Sequence, residues 1–452
     1  MLNNKQIVKG IIHQIDENQN GILKVQKDNV LVRHVLLQEE VKVSIRKRSK
    51  EGYIGDVVEI IKPSSERQKV VCPIYNTCGS CQMMHMTPSA QSQYKKKQVQ
   101  NLCKKAKLSC KVQDVLSMDQ SVAYRNKIIV GFLKDKNHKV QAGFYEELTH
   151  RIVPYTSCVL HPNICDEIIQ SIVQLMNKFR IEPYDEDRKR GLLRHVIIRY
   201  GTISKQIMVV LVVNSNVFPA RKNFVQALLQ KHREITTVVQ NVNTRKTSIV
   251  LGEQERVLYG KGYIEDELLD CKYRISAKSF YQINHEQTEV LYQKAIELLA
   301  LKGHETVLDA YCGIGTIGMY VSRYVKQVLG VEVNKDAIHD ANANASANHI
   351  KNIRFVCDDA SKFMSKLTAK KERLDVVIMD PPRSGSSEEF IRSVSRSAPA
   401  KVLYISCNPQ TQVRDILIFQ KYGYHLASDI LLVDLFPNTM HIESIVRLSR
   451  TK

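Results

Sequence analysis

Apolar and polar positions alternate, with interruptions, along residues 1 to about 62. QIVKGIIHQI, GILKVQ, VKVSIRKR and DVVEII read as short strands on that near-twofold period. Asn20-Gly21, Asp28-Asn29 and Glu51-Gly52 read as the turns between them. Several short strands in so little chain predict a small closed β-barrel of the oligonucleotide-binding kind. The period then changes. A helix is expected from about Ser89 to Ala106. From about Val122 to Asn214 the runs IIVGFL, VQAGFY, HVIIRY and IMVVLVV are strand-like, with one amphipathic helix near Asp166 to Phe179. This is an α+β pattern.

From about Cys271 strands and helices alternate. Helical spacing covers Glu286 to Leu301, and ETVLDA, QVLGVE, IRFV, LDVVIMD and KVLYIS read as strands. TIGMYVSRY and Lys335 to Asn348 read as helices between them, and two late strands fall near Ile430 to Val433 and Ser444 to Leu448. Such alternation predicts a doubly wound, mainly parallel α/β sheet.

In sheets of this kind ligands gather at the carboxyl ends of the strands, and the chemistry-bearing residues fall there. GIGTIG, with Gly313, Gly315 and Gly318, follows one strand and opens a helix. By itself it suits a dinucleotide dehydrogenase as well as a methyltransferase. Asp309 before the glycines, and Asp-Pro-Pro from Asp380 at a later strand end, favour the methyltransferase. SCNP sets Cys407 after an apolar strand, where a buried core thiol is the plainer alternative, and FPNTMHIE ends on Glu443. A carboxylate, a thiol and a second carboxylate thus share one fold unit. Asp358 and Asp359 suit either an adenine amino group or a helix N-cap.

Charge adds to this picture. A formal net charge of +20 over 452 residues suits a phosphate-rich partner. The run Arg46, Lys47, Arg48, Lys50 would lie on the barrel, and Arg125, Lys127 and Arg194 are further candidate phosphate contacts. MLNNKQIVKG has no apolar signal core, and no apolar stretch approaches bilayer length, so a soluble, cytoplasmic protein is expected. Eleven cysteines without a secretory signal argue against a disulfide framework. CPIYNTCGSC gives Cys72, Cys78 and Cys81 in a C-x5-C-x2-C spacing, a metal site in need of one more ligand. Structural zinc and an iron–sulfur cluster both fit that spacing.

Together, LDAYCGIGTIG, DPPRSG, SCNP and FPNTMHIE, in this order, resemble the RNA uracil-5-methyltransferases that use S-adenosylmethionine. The resemblance extends over nearly the whole chain. It implies a Rossmann-like methyltransferase domain over 271–452, a barrel similar to the TRAM domain over 1–62, and an iron–sulfur loop with a central α+β RNA-binding domain over 63–270. It implies Cys407 as nucleophile and Glu443 as general base, with Gln282, Tyr311, Glu332 and Asp380 contacting the cofactor. Gln282 could instead cap the helix that starts near His285. The resemblance further implies a 4Fe-4S cluster on Cys72, Cys78, Cys81 and Cys158, with Cys103, Cys110 and Cys165 as other possible fourth ligands. The expected partner is 23S ribosomal RNA, with transfer RNA as the alternative; DNA and membranes are not expected partners, and a monomer is. DNA cytosine-5-methyltransferases use a Pro-Cys nucleophile, and this chain contains no Pro-Cys dipeptide. A non-catalytic RNA-binding assembly protein is the remaining alternative, against which Cys407, Glu443 and Asp380 all stand.

Overall fold

A computed structural model describes residues 2–16, 18–50, 52–147, 149–247 and 249–451. Strands β1 (Ile7–Ile15), β2 (Gly21–Val25), β3 (Asp28–Val32), β4 (Glu40–Ser49) and β5 (Gly52–Lys62) close into a barrel in the order β1-β2-β3-β5-β4. Ile12, Leu23, Val30, Val41 and Val43 fill it, all fully buried. One expected turn is instead a strand. Asp28 and Asn29 open β3 and pair with Val25 and Lys24, and the chain reverses at Gln26, whose φ is +53°. Of the turn expected at Glu51-Gly52, Glu51 lies outside the described residues.

After the cysteine-bearing loop comes helix α1 (Pro88–Lys105), capped by Thr87, and then β6 (Val112–Leu116). The middle of the chain forms β7 (Lys127–Lys134), β8 (Val140–Tyr145), β9 (Ile152–Pro154), α2 (Asn163–Phe179), β10 (Leu193–Tyr200), β11 (Ile207–Val213), α3 (Arg221–Lys231), β12 (Ile235–Val242) and β13 (Gln254–Tyr259). These seven strands make one sheet ordered β13-β12-β11-β10-β7-β8-β9, with α2 and α3 packed in its core. A hairpin of β14 (Tyr263–Leu268) and β15 (Cys271–Ser276) follows.

The last part runs α4 (His285–Leu299), β16 (Thr306–Ala310), α5 (Thr316–Val321), β17 (Gln327–Glu332), α6 (Lys335–Ala347), β18 (Ile353–Cys357), α7 (Ala360–Ala369), β19 (Val376–Met379), α8 (Glu388–Ser397), β20 (Lys401–Ser406), α9 (Pro409–Lys421), β21 (Tyr424–Leu426), β22 (Ile430–Val433) and β23 (Glu443–Arg450). Its sheet is ordered β18-β17-β16-β19-β20-β23-β22-β6, with β21 on β23. The first five strands of that order are parallel, as βα alternation requires. Apolar clusters cover both faces of the sheet. Its outer strand β6 comes from far upstream and pairs in parallel with β22, so α1 and β6 are built onto this sheet. Among the described residues no helix is long and apolar enough to cross a membrane.

Candidate active site

Strand register brings the thiol and the carboxylates together. Ser406 ends β20 and pairs with Ser444 of antiparallel β23, so Cys407 and Glu443 leave neighbouring strands at the same level. Met379 ends β19 beside Tyr404, which brings Asp380 to the next strand end along. Three acidic groups now share one poorly solvated place. Burial, then the Glu443 and Asp380 carboxyls, push the Cys407 thiol up to about 11, and Arg383 opposes them. Burial and then Asp380 hold Glu443, 3% exposed, well above the carboxyl range, again against Arg383. Asp380 itself is pushed up to about 7 by burial. Like charges so placed cannot all ionise at once.

Arg383 and His441 were not singled out in the sequence. The Arg383 guanidinium reaches the Cys407 side chain and lies 3.2 Å from His441 Nε2. Burial first, then Arg383, lowers His441 to about 4, so its ring is neutral and Nε2 accepts from the arginine. The available signal was a cation directly after Asp-Pro-Pro, together with a histidine two residues before Glu443.

The nucleotide loop lies at the end of β16. Tyr311 takes φ +65°, an unusual backbone for a non-glycine residue, and its hydroxyl is 3.2 Å from Ser386 Oγ. Glu332, the last residue of β17, accepts from Gly313 N (3.2 Å) and Asn334 N (2.9 Å), which ties the glycine loop to that strand end. A Cβ on Gly318 would stand 2.7 Å from Asp309 Oδ2 and force that carboxyl to shift. Burial raises Asp309 to about 8, with Gly318 N–H opposing and Asp380 adding. Its Oδ2 is buried and has no hydrogen-bond partner in the protein, a spare acceptor beside the loop. Gln282 is 8% exposed, and its carbonyl accepts from Asn126 Nδ2 at 2.8 Å. The cap of α4 is Asn284, which accepts from Gln287 N, and not Gln282. Asp359 caps α7 and Asp358 pairs with Lys366 at 2.6 Å, so both have structural partners.

Cys158 is brought to the cysteine loop across a long stretch of chain. Cys72, Cys81 and Cys158 share one apolar cluster, and the charges of Cys72, Cys78 and Cys158 all act on Cys81. Burial raises Cys81 to about 12 and Cys158 to about 11, while Arg125 lowers both. Cys103 and Cys110 interact with each other beside another core, and Cys165 is buried in the core between α2 and the seven-stranded sheet. Among the described residues no three His, Cys, Asp or Glu side chains converge on a common point as they stand. The thiols are thus neighbours that share a field without forming a closed ligand cage. Their donor set, four thiols beside a guanidinium, suits a thiolate-bound, negatively charged metal group.

Two of the basic candidates are not free for phosphate. Arg194 is 2% exposed, held by Glu186 at 2.8 Å and stacked 4.5 Å over Tyr184, because the strand HVIIRY is buried on both faces. Arg125 is turned toward the cysteines and Ser80 O. Arg46, Lys47, Arg48 and Lys50 are exposed at the end of the barrel hairpin. A groove of about 670 Å³ lies away from the strand ends, between α3 and β13, and is lined by Arg221, Lys222, Arg233 and Arg256.

Known proteins resemble this chain over nearly its whole length. The profile of the tRNA (uracil-5-)-methyltransferase family matches residues 89–451. An uncharacterized RNA methyltransferase of Halalkalibacterium halodurans is 38% identical over 449 residues, 99% of this chain and 98% of that one. One from Bacillus cereus is 36% identical over 99% of this chain and 97% of its own. Among solved structures, Pyrococcus abyssi tRNA (uracil-54, C5)-methyltransferase in complex with S-adenosyl-L-homocysteine superposes with a TM-score of 0.78. It is 24% identical and covers 97% of this chain and 99% of that chain, so the likeness is one of fold.

Proposed function

This chain belongs to the tRNA (uracil-5-)-methyltransferase family, and from that premise we propose that it methylates C5 of a uridine in 23S ribosomal RNA in the cytoplasm. The observation that carries the reading is the register Ser406 to Ser444, which sets Cys407 against Glu443 with Asp380 acting on both. C5 of uracil is too weak a nucleophile to take a methyl group unaided. Cys407 Sγ, as thiolate, adds to C6, and the electron pair moves to C5 and O4 as an enolate. S-adenosylmethionine supplies the electrophilic methyl group that C5 then takes. Glu443, in its ionised form, accepts the C5 proton, the C5–H bonding pair re-forms the C5–C6 double bond, and the C6–S bond breaks to return the thiolate. Arg383 stands where it favours the thiolate. Gln282, Tyr311, Glu332 and Asp380 would hold the cofactor, and the leftover acceptor on Asp309 fits a donor group of it.

Cys72, Cys78, Cys81 and Cys158 would hold a 4Fe-4S cluster. The reaction needs no electron transfer, so the cluster's role there is structural. In this reading residues 1–62 form the RNA-binding barrel, 63–270 the cluster loop and central RNA-binding domain, and 271–452 the catalytic domain, with α1 and β6 attached to the last. The choice of ribosomal over transfer RNA rests on the family resemblance of barrel and cysteine loop together; a tRNA (uracil-54, C5)-methyltransferase shares the fold over 97% of this chain, which makes transfer RNA the second substrate to test.

Unmodified 23S and transfer-RNA transcripts with methyl-labelled S-adenosylmethionine test the proposal. Label should enter C5 of uridine in the 23S transcript. Cys407→Ala should abolish incorporation while S-adenosylhomocysteine still binds. Label only in transfer RNA would reassign the substrate, and full activity of Cys407→Ala would exclude the covalent route.

A further inference from the structure

Glu443 follows a nine-residue loop, Asp434 to Ile442, whose two ends are clamped by the pairing of Val433 with Glu443. The position of the general base therefore depends on what holds that loop. Most of its holders lie far upstream. Lys95 on α1 is fully buried, and its Nζ donates to Asp434 Oδ1 at 2.7 Å and Phe436 O at 3.3 Å. Four residues earlier, on the same helix face, Gln91 makes a reciprocal amide contact with Asn438. Asn438 N donates to Gln91 Oε1 at 2.9 Å, and Gln91 Nε2 donates to Asn438 Oδ1 at 3.1 Å. Gln91 Nε2 also lies within bonding distance of the carbonyls of Met83 and Met86. Asn438 takes φ +66° and offers its carbonyl to Gln82 N and Met83 N, the two residues directly after Cys81. Tyr124 donates to Pro437 O at 3.0 Å and Asn284 to Leu435 O at 3.2 Å.

A buried ammonium is a costly way to pack a helix, since an apolar side chain of similar volume is often as stable or better. What the charge adds is direction, fixing one carboxylate and one carbonyl at a set register. The left-handed Asn438, met by two successive main-chain donors and an amide, is over-determined in the same way. Nothing in the chemistry of uracil calls on these groups directly.

We propose that Gln91, Lys95 and Asn438 are positioning residues that set the Glu443 carboxyl against C5 of the adduct, with Asn438 carrying the register of the cysteine loop into the active site. The inference rests on the reading of Glu443 as base. It separates two steps. Addition of Cys407 and methyl transfer depend chiefly on β20 and the glycine loop, which this clamp meets through His441, the loop residue in contact with Arg383. Proton removal from C5 and release of the sulfur depend on Glu443, and a small misplacement there costs on the order of a hundredfold.

The test uses the full-length protein with a 23S transcript, read in single turnover. Gln91→Leu, Lys95→Met and Asn438→Gly, the last keeping the backbone conformation, should form methylated adduct at close to the wild-type rate. They should release product at least about tenfold more slowly, so that a protein–RNA species resistant to denaturation accumulates. S-adenosylhomocysteine affinity should be unchanged. The pair Lys95→Met with Asp434→Asn removes both buried charges, nearly keeps the volume and leaves an acceptor for Phe436 N; it should fold stably and still trap adduct. Adduct formation and release slowed in equal proportion, or normal release by the folded double variant, would overturn the proposal and leave the clamp as scaffold. Glu443→Gln run alongside separates the two ideas. If it releases methylated RNA normally, Glu443 is not the base. If it traps adduct and the clamp variants do not, only the clamp inference falls.

Discussion

A carboxylate that keeps its proton in the folded protein changes stability with pH in a definite sense. Asp309 is raised from 3.8 to about 8, chiefly by burial. Above pH ~4 the unfolded chain releases this proton and the folded protein retains it, so the contribution to stability is full below the ordinary value and is lost as pH rises through about 8. Asp309→Asn removes the titration while keeping an acceptor for Gly318. Its melting temperature should gain on the wild type as pH goes from 5 to 8, by on the order of 2–4 kcal/mol in stability, while cofactor affinity falls. Equal gains at both pH values would mean the carboxyl is solvated. The neighbouring thiol calls for the opposite treatment. Cys407 lies near 11 even with Arg383 beside it, so its thiolate is scarce at neutral pH. Removing the guanidinium in Arg383→Gln should raise the thiol further and move the alkaline limb of adduct formation to higher pH. Mass-spectrometric alkylation of the Cys407 peptide across pH 7 to 10 would follow it, and an unchanged profile would remove Arg383 from thiolate stabilisation.

At the scale of elements, the cysteine loop joins pieces that are distant in the chain. Anaerobically purified protein should be brown with about four irons and four sulfides, and Cys158→Ser or Cys81→Ser should bleach it. Because binding confined to the native state stabilises that state, both should also lower the melting temperature. Retained colour in Cys158→Ser would assign the fourth ligand elsewhere, and one tight zinc in colourless protein would replace the iron. The sequence located the loop by spacing, but only tertiary packing draws Cys158, rather than Cys103 or Cys110, to it. Periodicity was informative where one rule decided the outcome. The helices expected at Ser89, Glu286 and Lys335 begin within two residues of α1, α4 and α6, where Thr87, Asn284 and Asn334 cap them. It failed where partners were remote or patterns mixed. DNVLV looked like a turn because two polar residues open it, VQDVL gave no hint of an edge strand paired with Ile430–Val433, and the stretch holding α3 to β14 passed without assignment. Arg194 was misjudged for the same reason, since a cation between apolar neighbours says nothing of the Glu186 that meets it.

For the whole molecule, a net charge of +20 acts through where its cations stand, and the structure sorts them. Buried or paired ones such as Lys95 and Arg194 hold the fold and contribute little to a polyanion's affinity. Arg46, Lys47, Arg48 and Lys50 project from the barrel into solvent. Arg46 pairs with Asp56 at 3.7 Å with both side chains more than 60% exposed, so that pair is weak and yields readily to a phosphate. RNA binding should therefore weaken steeply with salt, by about 0.9 in log affinity per log salt for each phosphate neutralised in a duplex and about 0.7 in a single strand. Replacing the four barrel cations by glutamine should lower affinity at low salt and reduce that slope by up to about 3. It should leave the turnover rate at saturating RNA unchanged, because none of the four approaches Cys407. A flat salt response in the parent protein would mean the charge serves another partner. A normal slope in the fourfold variant would move the phosphate track off the barrel.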